Sequence, residues 1–588
     1  MLSRHIVAAA LLQLVSLTTA QGPHEGPKPD SARTDMSASS THNGQQDMAS
    51  YAVLSEHSTM ILAHVTLMVF AWVFLLPLGV MFSIARSRLA FPVQLLFCVT
   101  NALGLLLGTV YNVKTPDLYP NNAHHTIGWV ASWIISVQIL TNLLFATVQS
   151  RMKKTTGSMS VESEPFLRPP SSDRPREGMS SYTDRHPSSD TESGSSSIAS
   201  TPLWKDLEKP SSRDNNDNNS EPSSSRRPSF LRYSFVAISF PARFPGRLPA
   251  RLMKVLAIVH QVITRTVLPL GFICLMTGGV TYAGIFRGKH IFNGLAHFIK
   301  GGIFFWYGLL TLGRWMGCFV EYGWAWNIAP STVIPSAEFV ESVVIFLYGS
   351  TNVFLEHLAG WGGAWTAQDL EHVSISVLFL GGGLCGMFVE SKVIRKWLNT
   401  IVASIPTSTT TNTNRHAGHS RSRSQGPDFE QELELHTPPK VYNFSINPLP
   451  ALIIFLLGIM MSSHHQSSMV STAVHKQWGT LLAGFSIMRL LTYTILYISP
   501  PASIYPSRPP TELVSSFCLI SGGIVFMAST KDIVAWMESE DLMAMFVFTV
   551  TSGFTAFMMA YEILVLSLKG WATQREVQRS VKARSSGP

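Results

Sequence analysis

Long runs of apolar residues recur along this chain of 588 residues and constrain its fold more than any other feature. One of them reads TMILAHVTLMVFAWVFLLPLGVMF, and a helix needs about 20 such residues to cross a bilayer. Only 14% of the residues are charged, against roughly 25% in soluble proteins. Because lipid offers no partner to a backbone N–H or C=O group, such runs form helices. The sequence therefore predicts an all-α, polytopic helical membrane protein.

The apolar pattern predicts about eleven membrane-spanning helices. They lie near residues 59–82, 92–112, 126–148, 255–285, 293–313, 337–357, 372–390, 447–463, 473–497, 512–529 and 542–567. Polar stretches divide these spans into three blocks, which cover residues 58–150, 251–390 and 446–568. The sequence contains no Walker loop, His-Glu-x-x-His motif or nucleophile elbow, and its Gly-x-Gly-x-x-Gly run at Gly381–Gly386 lies inside an apolar span and not between a strand and a helix, as a dinucleotide fingerprint does. Whether the chain is an enzyme therefore stays open.

The first residues, 1–20, predict a secretory signal peptide. Arg4 provides a basic start, AAALLQLVSL a short apolar core, and TTA a small-residue cleavage site before Gln21. An uncleaved anchor helix is the alternative. A secretory start favours a membrane of the secretory pathway, such as the endoplasmic reticulum, the vacuole or the plasma membrane.

Three segments, residues 21–57, 151–250 and 391–445, are polar in composition and predict disorder. Lys and Arg cluster beside the two later segments and in the tail, residues 569–588. Because such residues accumulate on the cytosolic side, we expect these three regions in the cytosol. The N-terminus, with residues 21–57, is then expected outside, in the lumen or the extracellular space.

The loop 151–250 carries two candidate regulatory features. Ser229 follows Arg226-Arg227-Pro228 and resembles a site for a basophilic kinase, where phosphate would add close to two negative charges. Residues 230–254 interleave Arg with Phe, Tyr and Leu, as a segment lying on anionic lipid does. An inert linker is the alternative for both. The expected partners are the lipid bilayer, anionic lipid and kinases, and not nucleic acid.

Histidines lie inside or beside several spans, where an ionisable side chain indicates function. His64 is in the first span, and His124 begins the third. With the predicted orientation both lie in the outer leaflet, so two imidazoles at matched depth could ligate one haem axially. The alternative is that they hydrogen-bond to the backbone or to acids.

Residues 59–285 resemble the four-helix core of the cytochrome b-561 family. The matching residues are His64, Trp72, Leu76-Pro77-Leu78-Gly79, Arg86, His124, Gly128, Gln138, His260, Arg265 and Gly279. The resemblance implies one haem between the first and third helices and another between the second and fourth. The second span has Gln94 near the depth where that family has a histidine, so His260 lacks a partner. The resemblance therefore implies a single b-type haem, held by His64 and His124, and puts transmembrane electron transfer in doubt.

The second part of the chain, about residues 255–567, resembles the fungal Ytp-type ("yeast putative transmembrane protein") family. Its matching segments include HFIKGGIFFWYGLLTLGRW, EYGWAWN, SAEFVESVVIFLYGSTNVFLEH and NPLPALIIFLLGIMMSSHHQ. That family has no firmly established biochemical activity, so the resemblance does not imply one.

Polar residues of this second part fall into two predicted layers. The outer layer contains the candidate metal ligands His297, His372, His464, His465 and His475. Imidazoles near carboxylates suit a transition metal or a proton relay, with ordinary interfacial polarity as the alternative. The inner layer contains candidate structural charge pairs, Arg314 with Glu338 or Glu341, and Arg489 with Glu390. Such charges require partners in lipid.

Three functions are compatible with these patterns. One is a membrane redox protein that binds one b-type haem at the outer leaflet. Another is a transporter of metal ions or protons built from the later spans. The last is a non-catalytic membrane scaffold regulated through its cytosolic loops.

Overall fold

The structure, a computed structural model, describes residues 50–158, 250–329, 334–356, 363–403, 444–463 and 466–585. These residues form helices and connecting turns, and no strand occurs among them. The helices are α1 Ser58–Val69, α2 Leu76–Ile84, α3 Ala90–Lys114, α4 Ala123–Ser158, α5 Ala250–Ala283, α6 His290–Met316, α7 Ala337–Glu356, α8 Ala367–Glu390, α9 Lys392–Ala403, α10 Leu449–Ser463, α11 Met469–Ile498, α12 Thr511–Ala528, α13 Lys531–Ser539 and α14 Ala544–Ser585. The predicted all-α fold is confirmed.

Eight helical stretches of the described chain are long and apolar enough to cross a membrane. They are Ser58–Ile84, Ala90–Lys114, Val255–Ala283, His290–Met316, Asp369–Glu390, Met469–Ile498, Thr511–Ala528 and Ala544–Lys582. The other three predicted spans coincide with α4, α7 and α10, of which α10 is a shorter apolar helix. The polytopic architecture is thus confirmed, and the number eleven stays a prediction.

The chain divides into two units, one formed by Met1–Asn142 with Ile238–Pro588 and the other by Leu143–Ala237. In the second unit only the continuation of α4 is described, and all contacts reported below lie in the first. The predicted signal peptide at 1–20, Ser229, most of the candidate lipid segment 230–254, and His464 with His465 lie outside the described residues.

Two segments predicted to be disordered are partly ordered. Residues 392–403, inside the predicted loop 391–445, form helix α9 because apolar and cationic residues alternate there with helical periodicity. Near the N-terminus, Tyr51 is buried and makes an edge-on contact with Tyr111, while the Ala52 N–H donates to the Tyr282 carbonyl. Composition alone missed both, because one depends on helical periodicity and the other on contacts with residues 60 and 230 positions away in the chain.

The first span contains a π-helical turn, Phe70–Leu75, between α1 and α2. Pro77 follows this turn and has no N–H to donate to the carbonyl of Val73, four residues earlier. The Tyr561 hydroxyl of α14 donates to that carbonyl at 2.8 Å and lies 3.3 Å from the carbonyl of Phe74. The last helix thereby satisfies a backbone group that the proline leaves without its helical donor.

Helices α6 and α12 run antiparallel and pack at glycines. A Cβ atom on Gly301 would lie 2.6 Å from the carbonyl oxygen of Gly523, and one on Gly308 would lie 2.8 Å from the backbone N of Ile520. Small residues permit such approach in lipid, where packing replaces the hydrophobic effect. Beside this contact, Trp478 of α11 stacks on Phe526 at 4.1 Å and fills the core of the later helices.

Candidate functional site

A cavity of about 1140 Å³ lies along helix α6, between α5 on one side and α7, α8, α10 and α11 on the other. Its middle is apolar, with Ile303, Phe304, Val344 and Phe379 in the walls, whereas both ends carry ionisable side chains. From His297 to Arg314 the helix rises about 26 Å, close to the roughly 30 Å of hydrocarbon in a bilayer. The cavity therefore connects the two polar layers that the sequence predicts.

The histidine end of the cavity is lined by His124, His297, His372 and His475. The rings of His297 and His475 make an edge-on contact with centroids 6.2 Å apart. The Nδ1 atom of each lies 2.8 Å from a carbonyl of its own helix, Asn293 for one and Ser471 for the other. A bond at this atom holds each ring in one orientation and directs Nε2 away from its helix.

The predicted metal ligands are only partly brought together. His297, His372 and His475 share the histidine end, while His464 and His465 lie outside the described residues. In the part of the chain that is described, no three His, Cys, Asp or Glu side chains are grouped to hold a metal ion. Asp369 at this end instead completes a capping box with Thr366 at the start of α8. A metal site here stays a prediction.

The edge of the histidine end is formed by a network that sequence patterns did not predict. Asp532, at the start of α13, accepts from the Phe286 N–H at 2.7 Å and lies 2.5 Å from Nδ1 of His290. The Tyr119 hydroxyl donates to the carbonyls of Ile285 and Phe286. Burial raises the pKa of Tyr119, so this hydroxyl stays a neutral donor. The network connects the loop before α6 to α13.

The arginine end holds a group of charged side chains, termed the carboxylate–arginine cluster: Arg314, Glu338, Glu341, Arg489 and Glu512. Arg314 donates to Glu341 at 2.8 Å and to Glu338 at 3.3 Å. Arg489 donates to Glu341 at 3.4 Å, and its Nε lies 2.9 Å from Oε1 of Glu512. None of the five side chains is more than 12% exposed. The cluster joins α6, α7, α11 and α12.

Aromatic and backbone groups complete the surroundings of the cluster. The guanidinium of Arg314 lies 4.4 Å from the centre of the Trp326 ring, and its Nε donates to the carbonyl of Trp324 at 2.7 Å. The Tyr493 hydroxyl donates to Glu338 at 3.3 Å. The Oε2 atom of Glu512 has no hydrogen-bond partner among the described residues. Arg314 and Glu341 also line the cavity, so the cluster opens onto it.

The predicted pair Arg489–Glu390 is wrong. Glu390 accepts instead from Ser336 at 2.6 Å, Ser445 at 2.8 Å and Arg395 at 3.1 Å. Arg489 pairs with Glu512, which pattern reasoning missed, because α11 packs against α12 and no spacing rule predicts which helices are neighbours. The signal that could have found Glu512 is its position as an acid in the first turn of an apolar span.

The two histidines proposed as haem ligands, His64 and His124, each have a hydrogen-bonding partner on a neighbouring helix. The Nδ1 of His64 donates to the Gly104 carbonyl at 2.7 Å. The Nδ1 of His124 lies 3.3 Å from the Thr277 hydroxyl, which is also within hydrogen-bonding distance of the carbonyls of Ile273 and Cys274. The Nε2 of His64 therefore carries the lone pair, as in a histidine that ligates haem. A haem held by His64 and His124 stays a prediction.

The other half of this four-helix region is packed differently. The His260 Nδ1 lies 3.2 Å from the Thr141 hydroxyl, and its Nε2 lies 3.5 Å from that of Thr264. Gln94 borders a cavity of only about 10 Å³, enough for about one water molecule. His260 is therefore part of a hydroxyl network, and the residues here do not fit a second haem.

Residues 270–570 match the family described as "Protein YTP1-like, C-terminal", and residues 45–148 match a domain of unknown function, DUF2427. An uncharacterized membrane protein of Schizosaccharomyces pombe is 34% identical over 90% of this chain and 97% of its own length. Another from Saccharomyces cerevisiae is 40% identical over 53% of this chain and 48% of its own. Protein YTP1 of Saccharomyces cerevisiae is 22% identical over 47% of each chain. No solved structure matches.

Proposed function

This chain belongs to the fungal family of YTP1-like integral membrane proteins, and from this premise we propose that its C-terminal helices form a proton-coupled transporter. One observation carries the proposal. Two buried arginines face three buried carboxylates in the carboxylate–arginine cluster, which opens onto the cavity through Arg314 and Glu341. The cavity provides a path for a solute, and the cluster provides a site for a proton.

The charge of the cluster is −1 when all five side chains are ionised, since two guanidiniums face three carboxylates. An unbalanced charge buried away from water is costly, so one carboxyl is expected to bind a proton or a cation. Glu341 is the group we assign to this role. It contacts both arginines and faces the cavity, whereas Glu512 is fully buried and does not line it.

Protonation of Glu341 changes which helices are connected. The ionised carboxylate bridges Arg314 of α6 to Arg489 of α11, with Glu341 itself on α7. With a neutral Glu341, the arginines retain separate one-to-one pairs, Arg314 with Glu338 and Arg489 with Glu512. The proton therefore removes a three-helix bridge beside the cavity. A change of this kind can shift an equilibrium between two arrangements of the helices.

We expect one carboxyl of the cluster to take up a proton when the pH of the purified protein is lowered. Infrared difference spectra recorded from alkaline to acidic pH should show the C=O stretch of a carboxylic acid, and Glu341→Gln should remove that band. Glu540→Gln, which changes an exposed carboxylate, is the matched control and should retain it. A Glu341→Gln spectrum identical to that of the unaltered protein at every pH would refute the proposed proton site.

For the transported solute we propose a chemical class. A transition metal ion is favoured by the imidazoles of His297, His372 and His475 at one end of the cavity, since imidazole suits such ions. His464 and His465 belong to the same candidate set from the sequence and lie outside the described residues.

A membrane redox function is a second candidate, favoured by the hydrogen bonds at Nδ1 of His64 and His124. A bound b-type haem would supply one-electron redox chemistry. The protein's contribution would be to orient the two imidazoles, through the Gly104 carbonyl and the Thr277 hydroxyl. The likeness of residues 59–285 to the cytochrome b-561 family adds support from sequence only.

Protein expressed with ample haem is expected to show a Soret band that shifts when dithionite reduces it. His64→Leu and His124→Leu should each abolish the band because both remove an axial ligand. His260→Leu should preserve it, because His260 is bonded to threonine hydroxyls. A haem-free unaltered protein with intact folding would disprove the redox candidate, and would leave the transport proposal unaffected.

The remaining assignments are also proposals. They include a secretory-pathway membrane, an outer N-terminus with a cytosolic C-terminus, kinase action on Ser229 and contact of residues 230–254 with anionic lipid. A scaffold regulated through these loops is compatible with either candidate activity.

A further inference from the structure

Helix α9, Lys392–Ala403, has two chemically distinct faces. Lys392, Arg395 and Lys396 lie on one face, because Arg395 and Lys396 follow Lys392 by three and four residues, and the helix contains no acidic residue. The opposite face presents large apolar side chains that nothing in the described chain covers. Val393 is 56% exposed, Trp397 66% and Leu398 61%.

The position of α9 places these faces at the end of a membrane span. Only Ser391 separates α9 from α8, and its extended backbone ends the longer helix. Arg395 then donates to the carbonyl of Val389 at 2.8 Å and to Glu390 at 3.1 Å, both in the last turn of α8. The first turns of α9 are thereby held close to the end of the span, where hydrocarbon gives way to headgroups.

Glu390, which accepts from Arg395 of α9, also contacts residues before two other helices. Its carboxylate also accepts from Ser336, just before α7, and from Ser445, just before α10. Through Arg395 and Glu390, α9 is therefore connected to the ends of three spans, α7, α8 and α10.

The cationic face and the apolar face of α9 indicate which kind of surface the helix binds. An amphipathic helix with a cationic face and Trp and Leu on the other face lies in the plane of the membrane interface. The apolar side chains enter the boundary of the acyl chains, and tryptophan prefers this depth. Lys392, Arg395 and Lys396 carry three positive charges, of which Glu390 offsets one, and the remaining +2 is complementary to anionic headgroups and has no counterpart in a neutral, zwitterionic leaflet.

We propose that α9 is a binding element for anionic phospholipid in the leaflet next to the arginine end. Lys392 and Lys396 contact the headgroup, with Arg395 shared between lipid phosphate and Glu390. Val393, Trp397 and Leu398 enter the acyl boundary. The proposal depends on neither the transport nor the haem candidate.

Native mass spectrometry of the purified full chain, titrated with phosphatidylserine and separately with phosphatidylcholine, tests the charge contribution. Lys392→Gln/Lys396→Gln should weaken phosphatidylserine binding roughly tenfold or more, since each charge near anionic lipid contributes at the level of a several-fold change. Lys114→Gln/Lys476→Gln, which removes the same charge from exposed lysines at the ends of other spans, is the matched control and should bind as the unaltered chain does. Equal binding by both variants would overturn the proposal.

A second measurement reports the insertion of the apolar face. In nanodiscs, lipids brominated in the acyl chain should quench the fluorescence of Trp397, obtained as the difference between the unaltered chain and Trp397→Phe. This substitution retains an aromatic ring and alters an exposed residue, so folding is preserved. If bromolipid does not quench the difference signal, α9 lies away from the bilayer, on a protein partner or in water. That result rejects lipid as the binding partner of α9.

Discussion

Arg489→Met is expected to destabilise the protein by about 3–5 kcal/mol, because it leaves buried carboxylates without a counter-charge. Glu512 loses the guanidinium whose Nε lies 2.9 Å away, and Glu341 loses one of its two arginines. Methionine retains most of the side-chain volume of arginine, so the lower stability results from the lost charge more than from lost packing. Thermal unfolding in detergent, followed by circular dichroism, measures the effect.

Arg508→Met is the control for this substitution. Arg508 is exposed, and its only described interaction is with the Trp315 ring at 5.9 Å, so its loss should change stability by about 0.5 kcal/mol or less. The double variant Arg489→Met/Glu512→Gln should recover part of the stability, because a neutral amide replaces the stranded carboxylate. If Arg489→Met unfolds at the temperature of the unaltered protein, the cluster does not have the role assigned to it.

Gly523→Ala is expected to lower stability, because the backbones of α6 and α12 must move apart to admit the new methyl group. Such overpacking costs about 1–3 kcal/mol, and we expect an effect at the upper end of this range. Its Cβ would lie 2.5 Å from the carbonyl oxygen of Gly301 and 2.6 Å from the backbone N of Phe305. These atoms belong to helix α6 and cannot rotate away as a side chain can. Unfolding in a denaturing detergent, compared at matched protein and lipid content, quantifies the loss.

The matched control is Gly553→Ala in α14, where a new Cβ meets no atom within 4 Å. Alanine is favoured over glycine in a helix by roughly 0.5–1 kcal/mol, so this variant should be as stable as the unaltered protein or slightly more. Equal effects of the two substitutions would mean that α6 and α12 do not pack as closely as described.

Local patterns predicted the helices well because each depends on a nearly continuous apolar run. Helix α6 was expected at 293–313 and is found at His290–Met316, and α12 was expected at 512–529 and is found at Thr511–Ala528. Arg314 was expected beside Glu338 or Glu341, and it contacts both. That expectation needed only two successive spans and the rule that buried charges require partners.

Patterns failed where the packing of helices, which their order in the sequence does not specify, decides the contact. Arg489 contacts Glu341, 148 residues away, and Glu512 in the next helix, where Glu390 was expected. Tyr561 donates to the Val73 carbonyl, 488 residues away. Helix order along the chain does not determine helix neighbours, because in lipid the small residues at each face decide which helices approach.

The sequence by itself determined that this is an all-α membrane protein, since the length and apolarity of a span are properties of one segment and need no partner. It also placed ionisable residues at the two ends of the spans. The tertiary structure alone decided that one cavity joins those ends, and that three carboxylates converge on two arginines. An excess buried charge is a property of several packed helices together, and no single helix contains it.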